Sequence, residues 1–474
     1  MLRRRWFVLP ALVVLAAAGC GGHTSSHRQR TTAAPVPTRK AKRHAARHPR
    51  VARRDGRVVV SVVDGDTGAP VARARVAAGA AAGVTSRRGV ARLAVLRRTS
   101  LPVRVAAPGY LPLQTRVQFR KTPLIQLHLY RRELQWTMYG VDPQRTQAHP
   151  AIRLRPPFRI VWARDLGTLV EFPAAIYEGV AYISNLHGTL WALSMANGKV
   201  LWHFYMGHDE QDSSPAVVGD DVIAHSKGGR VFVFDRRTGR LRWSFGAASY
   251  IESSPVVVDG VDYFGDWAGN VYALDLRTHR LRWERSFGAK ITSSVALSGN
   301  RIYLGDYAGR VWALSRTTGA VRWSGSVNGR VYGTPAIGGG RVFVPSSDGN
   351  TLTAFSLDGA RLWSYDTGAY VYSSPAYWHG RVYVGSYNGL LYCFAGASGR
   401  VLWDVDAGGA VSGAPTIVDG VVYAGSFAHR IVGADALTGR VVFRFPHGEY
   451  VALSANGGRA LLLGYNRVFA AVPR

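Results

Sequence analysis

Glu171, Asp212, Glu252, Thr292, Tyr332 and Tyr372 follow one another at intervals of 40 or 41 residues. Carboxylates drawn together from successive repeats could hold a hard cation, which seeks oxygen ligands. Tyrosines facing them could stack on a ring or a sugar. The same six residues could equally be solvated rim groups or caps for amides at strand starts. A second set, Tyr250, Tyr332, Tyr370 and Tyr450, falls on one rim of the same repeat, beside the acidic stretch "HDEQD" from His208 to Asp212. Exposed aromatics with a polar border are a common grip for protein partners. The histidines show no metal-ligand spacing, so no metal site is assigned.

The element that must position these groups is the repeat itself. Its closing aromatic stands at Trp162, Trp202, Trp243, Trp283, Trp323, Trp363, Trp403 and Phe443. A period near 40 made of several short alternating strands predicts a β-propeller, because helical repeats need a 3.6-residue period that is absent. In "SSPAYW", "RVYVGS", "LLYCFA" and "GRVLWDV" one unit reads as four strands from the axis outward, with turns such as "GSYNG" between them. The recurring tryptophans are expected to dock on the adjacent unit. Trp162 ends an outer strand with no inner strands before it, while Tyr450 to Pro473 supplies three strands with no outer one. Pairing "FRIVW" with the last strand gives eight blades and leaves no free edge.

Ahead of the repeats, residues 57–132 read as a small β-sandwich, from the alternation in "RVVVSVV" and the turns around Gly68 and Gly89. Residues 20–56 carry ten Lys or Arg against one acid, which predicts a disordered tether. Residues 1–19 place three arginines before a short apolar run, the layout of a secretion signal. The net charge of +30 is concentrated here: residues 57–132 hold +12 of it and residues 133–474 only +6. For an exported chain that charge points to anionic lipid or wall polymer rather than to nucleic acid. Cys20 and Cys393 are the two cysteines, and Cys393 takes the place of alanines in sister repeats, as a small core residue does.

These residues carry three resemblances. "LAAAGC" resembles the lipobox of bacterial lipoproteins, which implies lipidation at Cys20. Thr67-Gly68-x-Pro70, Thr85-Ser86-x-x-Gly89 and Pro108-Gly109-Tyr110 resemble the carboxypeptidase regulatory-like, transthyretin-shaped module. The unit Ala273-x-Asp275-x-x-Thr278 with Trp283, and "WTMYGVDPQRTQ" from Trp136 to Gln147, are similar to the PQQ-like eight-bladed propellers. That family includes quinoprotein dehydrogenases, which hold pyrroloquinoline quinone and calcium in the central funnel. It also includes non-enzymatic members, among them the lipoprotein subunit of the outer-membrane β-barrel assembly machinery. The chain shows no vicinal cysteine pair, no haem-binding Cys-x-x-Cys-His and little loop beyond its even pitch. The expectation is therefore an exported, lipid-anchored protein scaffold with an extracytoplasmic protein partner. A quinone- and calcium-dependent dehydrogenase and a wall-glycan binder stand as the alternatives.

Overall fold

The computed structural model describes residues 55–96, 100–119, 124–207 and 212–474. The signal, the tether and Cys20 lie outside the described residues, as do His208 to Gln211 of the acidic stretch. The one helical element described is a 3-10 turn, Arg132–Leu134, and among the described residues no helix is long and apolar enough to cross a membrane.

Residues 148–474 form seven sheets of four strands and one of five, whose fifth strand, Ala148–His149, pairs parallel to Thr416–Val418. In six of the four-stranded sheets the strands run antiparallel in chain order, as in Val256–Val258, Val261–Gly265, Asn270–Asp275 and Arg280–Ser286. Burial falls from the axis outward: Val261–Gly265 is wholly buried, whereas alternate residues of Arg361–Asp366 are exposed. The apolar runs "VYVG" and "LYCF" pack on a neighbouring sheet through both faces, and the outermost strand uses one face only. Strand Phe158–Asp165 closes the set by pairing antiparallel with Arg467–Pro473, with Trp162 opposite Ala470. Cys393 is fully buried and free.

Each outer-strand tryptophan reaches the turn before the last strand of the following sheet. Trp202 Nε1 donates to Arg236 O at 2.9 Å, Trp283 Nε1 to Arg316 O at 2.9 Å and Trp323 Nε1 to Leu357 O at 2.8 Å. Except at Trp243, the indole plate lies on a glycine of that turn. At Gly319 (φ +70°) a Cβ would meet Trp283 at 2.7 Å, so the position needs both the left-handed backbone and the missing side chain.

Two further sheets precede the repeats. Val90–Leu96, Asp55–Asp64 and Leu124–Leu129 make one, and Ala81–Val84, Arg75–Ala78, Ser100–Ala106 and Leu113–Gln118 make the other. They share a core of Val58, Val60, Val62, Val76, Leu93, Val103, Val105 and Phe119. Their turn after Asp64 touches the repeat region: Asp66 Oδ1 accepts from Asn456 Nδ2 at 2.9 Å, and Asp66 Oδ2 from the Gly457 amide at 3.2 Å. The Tyr130 ring lies against Gly179, where a Cβ would come within 2.5 Å of its hydroxyl.

Candidate functional site

The floor of the site is the segment from Trp136 to His149, which runs beneath the inner strands and ties them in succession. Thr137 O accepts from Val217, Pro143 O from Leu297, Gln144 O from Ile337, Thr146 O from Tyr377 and Gln147 O from Ile417, at 2.7–2.9 Å. Arg145 is completely buried and pins the segment to the axis, donating to Val295 O at 2.9 Å and to Ser254 O and Pro255 O at 3.1 Å. Five aligned donors and a buried guanidinium make this a plug, and the axis is a blind funnel.

Above the plug the inner strands are joined by a hydroxyl at a constant phase. Ser254 Oγ accepts from the Ser214 amide (3.0 Å), Ser294 Oγ from Ser254 (2.8 Å), Thr334 Oγ1 from Ser294 (3.0 Å) and Ser374 Oγ from Thr334 (2.8 Å). Tyr139 of the plug donates to Ser374 Oγ at 3.0 Å. The residue two places before each of these hydroxyls enters the funnel. Asp212, Glu252, Thr292, Tyr332 and Tyr372 therefore line one cavity of about 50 Å³, together with Glu171, Tyr139, Phe172 and Tyr450.

The acids share this space with an internal ammonium. Lys227 pairs with Asp212 and stands 3.7 Å from Glu252 Oε1. Burial, and then the charges of Asp212 and Glu252, push the Glu171 carboxyl up to about 8, so it carries a proton at neutral pH. Burial also raises Glu252. Lys290 lies at the mouth, with its Nζ 3.1 Å from the centre of the Trp267 ring and 4.7 Å from that of Tyr307.

The opposite side of the mouth is a continuous aromatic arc. Tyr332 meets Tyr372 (ring centres 5.4 Å apart), Tyr372 meets Tyr387 (5.1 Å), Tyr387 meets Phe427 (5.6 Å) and Phe427 meets Tyr450 (5.4 Å). Tyr370 joins at Tyr372 and Tyr387, 6.0 and 5.9 Å away. Tyr250 stands apart from this arc, edge-on to Trp267 at 5.1 Å. Tyr370 and Tyr250 are 49% and 51% exposed, which makes them the outer contacts.

Two sequence expectations change. Tyr332, placed by sequence both in the funnel and on the rim, is half-buried and lines the cavity, and so does Tyr450, placed on the rim alone. Of "HDEQD" only Asp212 is described, and it is buried in the cavity wall against Lys227 instead of on an acidic surface loop. Trp267, Tyr307, Tyr387 and Phe427 were not singled out by sequence, although each follows the Gly-Asp or Gly-Ser of a turn such as "GDWAG". A backbone bond holds each beside its sheet's entering loop, as Tyr387 N to Tyr370 O at 2.9 Å.

These residues do not fit pyrroloquinoline quinone with calcium. About 50 Å³ is far below the roughly 300 Å³ of a small-molecule pocket. Lys227 already pairs with Asp212 and stands 3.7 Å from Glu252 Oε1, so these carboxylates are not left to converge on a dication. Among the described residues no three His, Cys, Asp or Glu side chains are placed to hold a metal ion.

Sheets of four strands repeated about a plugged axis place the chain among all-β, propeller-like proteins. It belongs to the PQQ-like repeat family described as outer membrane protein assembly factor BamB, whose profile matches residues 159–264, 267–376 and 369–472. BamB from Moraxella catarrhalis is similar in fold at 16% identity and TM-score 0.56, covering 66% of this chain and 99% of that one. So is the quinohemoprotein alcohol dehydrogenase of Comamonas testosteroni, at 13% identity and TM-score 0.63, with 72% and 80% covered. The computationally designed Ika8 protein is similar at 18% identity and TM-score 0.57, with 66% and 100% covered. A comparison with curated proteins finds no match. An assembly factor, an enzyme and a designed chain share this fold, so function must be argued from the site.

Proposed function

We propose that this protein is a non-catalytic scaffold of the cell envelope, exported and lipid-anchored through Cys20, which holds a protein partner at the mouth of its funnel. In this reading the repeats form a closed eight-bladed ring. The two preceding sheets are a transthyretin-shaped, carboxypeptidase regulatory-like module, and the basic tether meets anionic lipid or wall polymer. The observation that carries the proposal is the arc from Tyr332 to Tyr450, five linked rings with Tyr370 exposed beside them over a plugged floor. Aromatics that pack on one another in advance lose little freedom on binding, which is why they anchor interfaces. Envelope protein assembly is the setting that the family membership suggests.

Affinity purification from the native envelope tests this. A partner retained by the wild-type chain should be lost with Tyr370→Ser combined with Phe427→Ser, at unchanged thermal stability. Equal recovery of the same proteins from both would overturn the reading. The quinoprotein alternative predicts saturable tryptophan quenching by pyrroloquinoline quinone with calcium, and the scaffold predicts a flat titration.

A further inference from the structure

We infer that the funnel is a socket for a primary ammonium, the side chain of a lysine carried by the partner that the mouth holds. This deepens the scaffold reading and rests on it. Three features of the cavity match an ammonium. It has three N–H donors to place, and the wall offers two buried acceptors with capacity left: Glu252 Oε2, on a side chain only 8% exposed and beside the Trp267 indole N–H, and Thr292 Oγ1, on a residue 6% exposed and beside the Tyr307 hydroxyl. The rings of Tyr139, Phe172, Tyr332, Tyr372 and Tyr450 complete the wall, and a cation is drawn to such faces. Lys290 already uses the neighbouring rings Trp267 and Tyr307 in this way.

Size and charge narrow the ligand. A space of about 50 Å³ takes an ammonium and its last methylenes, whereas a sugar ring or a fused ring system exceeds it. Lys227 occupies Asp212 and the Oε1 side of Glu252, and Lys290 also acts on Glu252 from the mouth, which leaves Glu171 as the carboxyl for an incoming charge. No hydrogen bond or ion pair within the described residues engages Glu171. The charged and titratable groups that act on it are Asp212, Glu252 and Glu449, which hold its proton, and Lys227, which opposes them; Tyr139, Tyr332, Tyr387 and Tyr450 face it as neutral phenols. An entering ammonium displaces that proton, so binding tightens as pH rises from 6 to about 8.

The test titrates the full chain with Nα-acetyl-lysine methylamide, with its arginine and norleucine counterparts and with calcium chloride. Calorimetry in two buffers of different ionisation enthalpy counts the proton. The expected result is saturable binding of the lysine probe alone, with proton release at pH 7. Glu171→Gln should weaken it at least tenfold at pH 8. Tyr372→Leu is the second variant and carries the test if Glu171→Gln fails to fold. Equal binding of the norleucine probe, tighter binding of calcium, no saturation, or full affinity in both folded variants would overturn the socket. If the mouth substitutions release a partner while the lysine probe fails to bind, the socket falls and the scaffold stands. If the probe binds but the mouth substitutions release nothing, the scaffold falls and the socket stands.

Discussion

Trp243 stacks on His279 with ring centres 4.3 Å apart and planes 24° from parallel. The sister tryptophans Trp202, Trp283, Trp323, Trp363 and Trp403 meet a glycine at this place, at Gly239, Gly319, Gly359, Gly399 and Gly439. His279 keeps the left-handed backbone of the turn (φ +59°) and replaces the missing side chain by lying parallel to the indole. The joint between neighbouring sheets therefore presents a flat surface under the tryptophan, either a bare glycine backbone or a ring lying nearly parallel to the indole.

Gly319→Ala tests that joint against an internal control. Gly299 also has positive φ (+56°) but nothing within 4 Å of a would-be Cβ, whereas at Gly319 the Trp283 ring stands 2.7 Å away. Gly299→Ala should cost about 1 kcal/mol of backbone strain. Gly319→Ala should cost about 2 kcal/mol more, because the indole must move off the turn. Chemical denaturation of the two variants gives the difference, and equal losses would contradict the docking account.

The hydroxyl ladder predicts a loss at Ser254→Ala. That change leaves the buried Ser214 amide without its acceptor at 3.0 Å, a loss of about 1–3 kcal/mol. Ser254→Thr keeps the acceptor and should recover most of it. Thermal unfolding that fails to separate the two variants would assign the ladder to packing alone.

Asp66 sets a pH dependence at the contact between the first sheets and the repeats. Burial pushes its carboxyl up to about 6 from 3.8, so the folded chain holds the proton more tightly than the unfolded one. Its contribution is greatest below pH 4 and is lost as pH rises through 6, a change of about 3 kcal/mol for two pKa units. Asp66→Asn should remove that part of the slope. Denaturation midpoints measured from pH 4 to 7 for both chains check it, and parallel curves would contradict it.

Sequence reading reached this fold through spacing, since the tryptophan interval exposes the repeat and the alternation within it exposes the strands. It placed Glu171, Asp212, Glu252, Thr292, Tyr332 and Tyr372 at one phase, and the structure brings them to one cavity. What spacing cannot supply is depth. Tyr332 and Tyr370 stand two residues apart in phase, yet one lines the cavity and the other is 49% exposed. Contacts between distant segments were equally hidden. Asp66 meets Asn456 across 390 residues, and Arg145 reaches carbonyls more than 100 residues away, with no local pattern to announce either. The Trp267, Tyr307, Tyr387 and Phe427 turns were legible in principle, as an aromatic recurring after Gly-Asp or Gly-Ser.

The most direct test of the central claim places a photo-crosslinking residue at Tyr370 on the mouth and, in a second chain, at Leu437, which is 52% exposed in a turn preceding an outermost strand. Irradiated in the native envelope, the Tyr370 chain should yield one discrete crosslinked protein that the Leu437 chain does not. The same crosslinked species from both positions, or none from Tyr370, would contradict the assignment of the funnel mouth as the docking surface.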